Sequence, residues 1–165
     1  MARSTGISVL LLALAAAGCD NAQAPCTQGC PDISGVYSIA DSVPVGECPF
    51  SPYLLSPSVE IQQSNERRKV LLHVVDPTTQ LEVPLSGDVY LASNSDMLGS
   101  FRVETRTTRL ANRSSEQTLT LDVLINGTVA LRDGRRVLSA TLTTTDVRST
   151  SQACTTTLTV TGQTQ

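Results

Sequence analysis

The chain has 165 residues, a formal net charge of −3, only five aromatic residues and no tryptophan. That length suits one domain. The mild acidity excludes a nucleic-acid surface of the usual kind, which needs a basic stripe with aromatics interleaved. The two basic clusters, Arg67-Arg68-Lys69 and Arg135-Arg136, each stand beside an expected turn and read as solvated hairpin tips.

The first element is the stretch MARSTGISVLLLALAAAGCD. Arg3 and the amino terminus form a small positive region, and Ile7 to Ala17 carries no charge. Such a run spans about 16 Å as a helix, too short for a bilayer core that needs about 20 residues. It therefore reads as a secretory signal. Leu14-Ala15-Ala16-Ala17-Gly18-Cys19 resembles a bacterial lipobox, with Ala16 where Leu is usual. The resemblance implies that residues 1–18 are cut off and Cys19 carries lipid. The protein is then held in the cell envelope through a lipid anchor, on the periplasmic or cell-surface side. An ordinary secretory signal, cut near Ala-x-Ala, is the other reading of these residues.

Residues 19–32 hold polar residues, Pro31 and two cysteines, with no apolar period, and read as a flexible tether. With Cys19 lipidated, Cys26, Cys30, Cys48 and Cys154 remain as an even set in an oxidising compartment. Four cysteines allow three pairings. The favoured one joins Cys48 to Cys154 and closes Cys26–Cys30 as a small local loop. The long loop would contribute about 4.7 kcal/mol in the chain-entropy model. Pairing of Cys30 with Cys48 or Cys154 is the competing arrangement. Cys26 and Cys30 lack nearby histidines, so no metal is assigned to them.

From Ile33 to residue 163 the dominant period is two. Leu85, Gly87 and Val89 share one face with Leu81, Val83 and Leu91. Leu119, Leu121, Val123 and Ile125 alternate with Thr118, Thr120, Asp122 and Leu124, and Leu138, Ala140 and Leu142 alternate with Ser139, Thr141 and Thr143. A strand sends each set to a single face, and the many Thr and Val residues agree. The expected strands are 33–41, 57–63, 68–76, 80–91, 99–107, 117–125, 128–132 and 136–146, with a closing strand at 154–161. Asn-Gly and Asp-Gly are both hairpin signals. Two such turns so close together would leave a very short strand between them. A bulge at Asn126-Gly127 and a hairpin at Asp133-Gly134 are therefore expected, which gives eight strands.

Many strands without helices mean an all-β barrel or sandwich. Sequential hairpins favour an antiparallel up-and-down barrel, with a β-sandwich as the alternative. Ser34-Gly35-Val36-Tyr37 resembles the Gly-x-Trp of lipocalin-like barrels, with Tyr in place of Trp. No tryptophan, Thr-Asp-Tyr motif or final-strand Arg accompanies it.

No catalytic constellation stands out. His73, the one histidine, lies within an alternating strand and reads as structural or surface. A Ser-His-Asp site needs an acid and an activated serine beside it, and no Gly-x-Ser-x-Gly elbow is present. Glu60, Glu82, Asp88, Glu104 and Asp122 alternate with apolar residues and are expected to face water. No cofactor, metal ligand set or catalytic residue is assigned. The expected function is that of a non-enzymatic, lipid-anchored binding module contacting a protein partner through barrel loops. A carrier of a small apolar ligand inside the barrel is the alternative, and a hydrolytic enzyme the third choice.

Overall fold

Alternating apolar and polar residues become eight strands: β1 Gly35–Val45, β2 Ser58–Ser64, β3 Lys69–Val75, β4 Glu82–Tyr90, β5 Met97–Leu110, β6 Thr118–Arg132, β7 Arg135–Asp146 and β8 Cys154–Thr164. The computed structural model describes residues 23–45, 50–112, 114, 116–148 and 154–165. Each strand pairs antiparallel with the next, and β1 pairs with β8 from Tyr37↔Thr164 to Val45↔Thr157. The sheet closes into an up-and-down barrel, so the sandwich alternative is excluded. Closure removes the free edges that an open sheet would expose.

One end of the barrel carries the β2–β3, β4–β5 and β6–β7 turns and the start of β1. It is termed the entry end. The other, termed the far end, carries the β1–β2, β3–β4, β5–β6 and β7–β8 connections.

The inward positions form one core. Tyr37, Ile61, Leu72, Leu121, Ile125, Leu138 and Leu142 are each at most 1% exposed. Full burial of such aliphatic side chains contributes about 1.5–3 kcal/mol each.

The expected bulge at Asn126-Gly127 is absent. A bulge sets two residues against one, but here the register runs unbroken through Arg102↔Asn126 and Phe101↔Gly127 on one side. On the other side it continues through Asn126↔Thr141 and Gly127↔Ala140. The glycine answers to packing: a Cβ at Gly127 would lie 2.2 Å from an atom of the Phe101 ring. Register shifts occur instead between Ile39 and Asp41 and between Met97 and Gly99. The hairpin at Asp133-Gly134 is present, with φ of 50° and 74°. Two consecutive positive φ values are the type I′ signature.

The expected tether is also corrected, over residues 23–32. Cys26 and Cys30 are joined by a disulfide and are both buried. The Cys26 amide donates to the Val89 carbonyl at 2.7 Å, and Gln23 Nε2 donates to the Leu91 carbonyl at 2.7 Å. Gln63 then clips the following turn. Its Oε1 accepts from the amides of Ile33 and Ser34 at 2.8 and 3.1 Å. Its Nε2 donates to the Pro31 and Arg67 carbonyls at 3.0 and 3.1 Å. Ile33 is fully buried, and the Tyr37 hydroxyl donates to its carbonyl at 2.8 Å. The segment thus stops the entry end. It lacks an apolar period because it docks through backbone hydrogen bonds and a few buried side chains.

Asp32 stands at the edge of this stopper. It accepts from the Ser34 hydroxyl at 2.6 Å and faces Arg136 at 3.5 Å and Arg67 at 3.9 Å. The Ser34 hydroxyl first, then its amide and the two guanidinium charges, hold the Asp32 carboxyl below its ordinary value against the opposing effect of burial.

Candidate interaction site at the far end

Along β5 the inward residues change character. Phe101 and Val103 give way to Thr105, Thr107 and then Arg109, which is only 8% exposed. An ionised group in that position needs a partner. Asp76, directly after β3 and in phase with Val70, Leu72 and Val74, supplies one. Its Oδ1 lies 3.7 Å from Arg109 Nη1. Thr78 links the two: it accepts from Arg109 Nη1 at 2.5 Å, and its amide donates to Asp76 Oδ1 at 2.8 Å.

The β1–β2 connection folds over this pair. Arg109 Nη2 donates to the Ser51 carbonyl. The guanidinium stands 5.3 Å from the centre of the Tyr53 ring, within cation–π range. The Tyr53 and Thr107 hydroxyls share a hydrogen bond at 3.2 Å. Phe50 and Tyr53 are buried, so this end is stopped as well. Arg109 Nε and the Thr144 hydroxyl are buried with no hydrogen-bond partner among the described residues.

Three exposed leucines are fixed to the buried pair by main-chain bonds. Leu54 exchanges hydrogen bonds of 3.1 and 2.8 Å with Val75, next to Asp76. The Leu81 carbonyl accepts from the Asp76 amide at 3.0 Å. The Leu110 carbonyl accepts from Arg109 Nη1 at 3.2 Å. Their exposures are 42%, 66% and 45%. Val43, Val45 and Val147 are exposed on the same rim. Exposed large apolar side chains gathered at one end of a barrel are consistent with an interaction surface there.

Other residues singled out in the sequence are dispersed. His73 stands on the outer wall opposite Pro84, in a depression of about 200 Å³ that also takes in Ser56, Ser58, Glu60 and Glu82. Asp88 pairs with Lys69 at 2.6 Å, and Asp122 with Arg106 at 2.6 Å, on the outer wall. Among the described residues no three His, Cys, Asp or Glu side chains are grouped to hold a metal ion. Cys19 and Cys48 lie outside the described residues. Cys154 opens β8 opposite Asp146, and its pairing with Cys48 lies outside them too.

Sequence reasoning missed Asp76, Thr78, Arg109 and Tyr53. The signal for two of them was present. Carrying the alternation of β5 two residues past position 107 puts Arg109 on the buried face, and the phase of β3 does the same for Asp76. The chain matches no family model, no curated protein and no solved structure, so the site is read from its own geometry.

Proposed function

We propose that the protein is a non-catalytic binding module, held in the cell envelope by lipid on Cys19, whose far end meets a protein partner. One observation carries the reading. Leu54, Leu81 and Leu110 are exposed around the buried Asp76–Arg109 ion pair, at the end opposite to the one the amino-terminal segment enters. Large apolar side chains left exposed together at one end of the barrel fit a protein interaction surface. Main-chain bonds set the leucines before binding, which lowers the ordering cost of association.

The carrier reading has less support. A small-molecule site is a concave space of several hundred Å³ lined mainly by apolar groups. Here the inward positions are occupied by large side chains, and both ends are stopped by the chain itself. A hydrolytic reading has less support: His73 shares a shallow outer-wall depression with Ser56, Ser58, Glu60 and Glu82, but among the described residues no hydrogen bond joins it to either serine. His73 faces Pro84 across the strand pair, on the outer wall.

Site-specific photo-cross-linking in the native host tests the proposal. A photoreactive residue at Leu81 or Leu110 should give a discrete protein adduct, and one at Leu131, on the entry end, should not. Equal labelling at all three positions, or none at Leu81 and Leu110, would contradict it.

A further inference from the structure

The entry end carries an arrangement of charge that the partner-binding role does not use. Arg132 and Arg135 flank the Asp133-Gly134 turn and lie directly opposite each other in the β6–β7 ladder. Like charges in direct cross-strand register are destabilising. The other basic side chains of this end have carboxylates: Arg67 and Arg136 face Asp32, Arg68 faces Glu66, and Lys69 faces Asp88. Among the described residues Arg132 and Arg135 have none, and both are exposed. They border a depression of about 470 Å³ with Thr161 and Gln163 as further hydrogen-bonding groups, Val137 as an apolar wall and Asp133 as the one acid.

This depression adjoins others. Arg132 also lines a neighbouring one that includes Leu131 and Thr128, and Thr128 lines a third that includes Gln23. Three depressions with shared lining residues thus lead from the hairpin tip to Gln23. Gln23 is four residues from Cys19, a reach of at most about 14 Å for extended chain. A lipid on Cys19 would keep Gln23 within that distance of a bilayer and so hold the entry end toward it.

We propose that Arg132 and Arg135 form a docking point for the phosphate headgroups of anionic lipid, which sets the barrel's orientation on the membrane and directs the far end away from it. The inference rests on the lipid-anchor reading of Cys19. Guanidinium groups suit phosphate oxygens through paired N–H donors. Each basic residue near an anionic surface favours the docked state about fivefold, so the pair favours it roughly 30-fold. Anion binding also relieves the repulsion across the hairpin.

The chain has no tryptophan, which allows a single-site reporter. Lipidated full-length protein carrying Leu131→Trp is placed in vesicles of phosphatidylcholine alone or with one third phosphatidylglycerol, each doped with a headgroup nitroxide quencher. Quenching of the Leu131→Trp reporter should be stronger in the anionic vesicles, and Arg132→Gln with Arg135→Gln should abolish the difference. A Leu110→Trp reporter should stay unquenched in both. Quenching that ignores lipid composition or the arginines, or that falls on the Leu110 reporter, overturns the docking proposal alone. The intact mass of the same samples reads acylation separately: an unmodified Cys19 overturns the anchor reading and this proposal together.

Discussion

The ring of Phe101 occupies the space where its cross-strand partner Gly127 would carry a Cβ. An aromatic laid over a strand glycine fixes register and curvature together. Gly127→Ala should therefore destabilise by about 1–3 kcal/mol, the usual range for overpacking. Adding Phe101→Leu should recover part of that loss, with a coupling of about 0.5–3 kcal/mol between the two sites. Urea unfolding of the two single variants and the double variant measures it. Additive losses would show that the contact does not set the packing there.

The buried pair gives a second test. Asp76→Asn leaves the Arg109 charge in the core without its counter-charge and should cost about 3–5 kcal/mol. Replacing both residues, as Asp76→Val with Arg109→Met, should cost much less, because the pair's mutual attraction mainly offsets its own desolvation. Chemical denaturation of the single and double variants distinguishes this from a general loss of packing, in which the double variant would be worse than either single one.

The barrel was legible because its strands keep period two for long stretches. Leu119 to Ile125, with Leu124 as the one apolar outward residue, and Leu138 to Leu142 keep the alternation, and their inward sets are the buried ones. The Asp133-Gly134 turn was legible because type I′ geometry demands positive φ at both central residues. Asn126-Gly127 carries the same local signal yet runs through a continuous strand. There the glycine serves a ring from the neighbouring strand, a tertiary cause that no window of sequence contains. The amino-terminal stopper was hidden for a similar reason. Gln63 belongs to a strand and holds residues some 30 positions earlier in the chain by its side chain. The Asp76–Arg109 pair was half legible: strand phase buries both residues, but only the closed barrel brings β3 and β5 to one cluster.

Acid should loosen the stopper at the entry end. The folded-state pKa of Asp32 is lowered. Its contribution is therefore present above the unfolded carboxylate value of about 4 and is lost as pH falls through the folded value. Asp32→Asn should be less stable than the natural chain at pH 6, and the gap should close as pH falls below about 4. The same interval should see faster hydrogen exchange at the Ile33 and Ser34 amides, which Gln63 holds. A gap that persists at pH 2 would mean that the charge of Asp32 does not hold the segment.

Gly134 sits at a φ of 74° in the two-residue hairpin. Gly134→Val should cost about 1–2 kcal/mol, the penalty for a side chain in the left-handed region. The site is otherwise open, with no atom within 4 Å of a Cβ there, so the loss reads backbone conformation rather than a clash. An unchanged melting curve would be inconsistent with a type I′ turn at this hairpin.

The central claim is that this barrel is filled by its own side chains and acts through its outer surface. Native mass spectrometry of the full-length protein, gently extracted from its host membrane, tests it most directly. The account predicts a mature chain beginning at Cys19, carrying acyl mass on that residue, with no stoichiometric small apolar molecule retained. A one-to-one apolar ligand that survives detergent exchange would contradict the filled interior and return the protein to the class of ligand carriers.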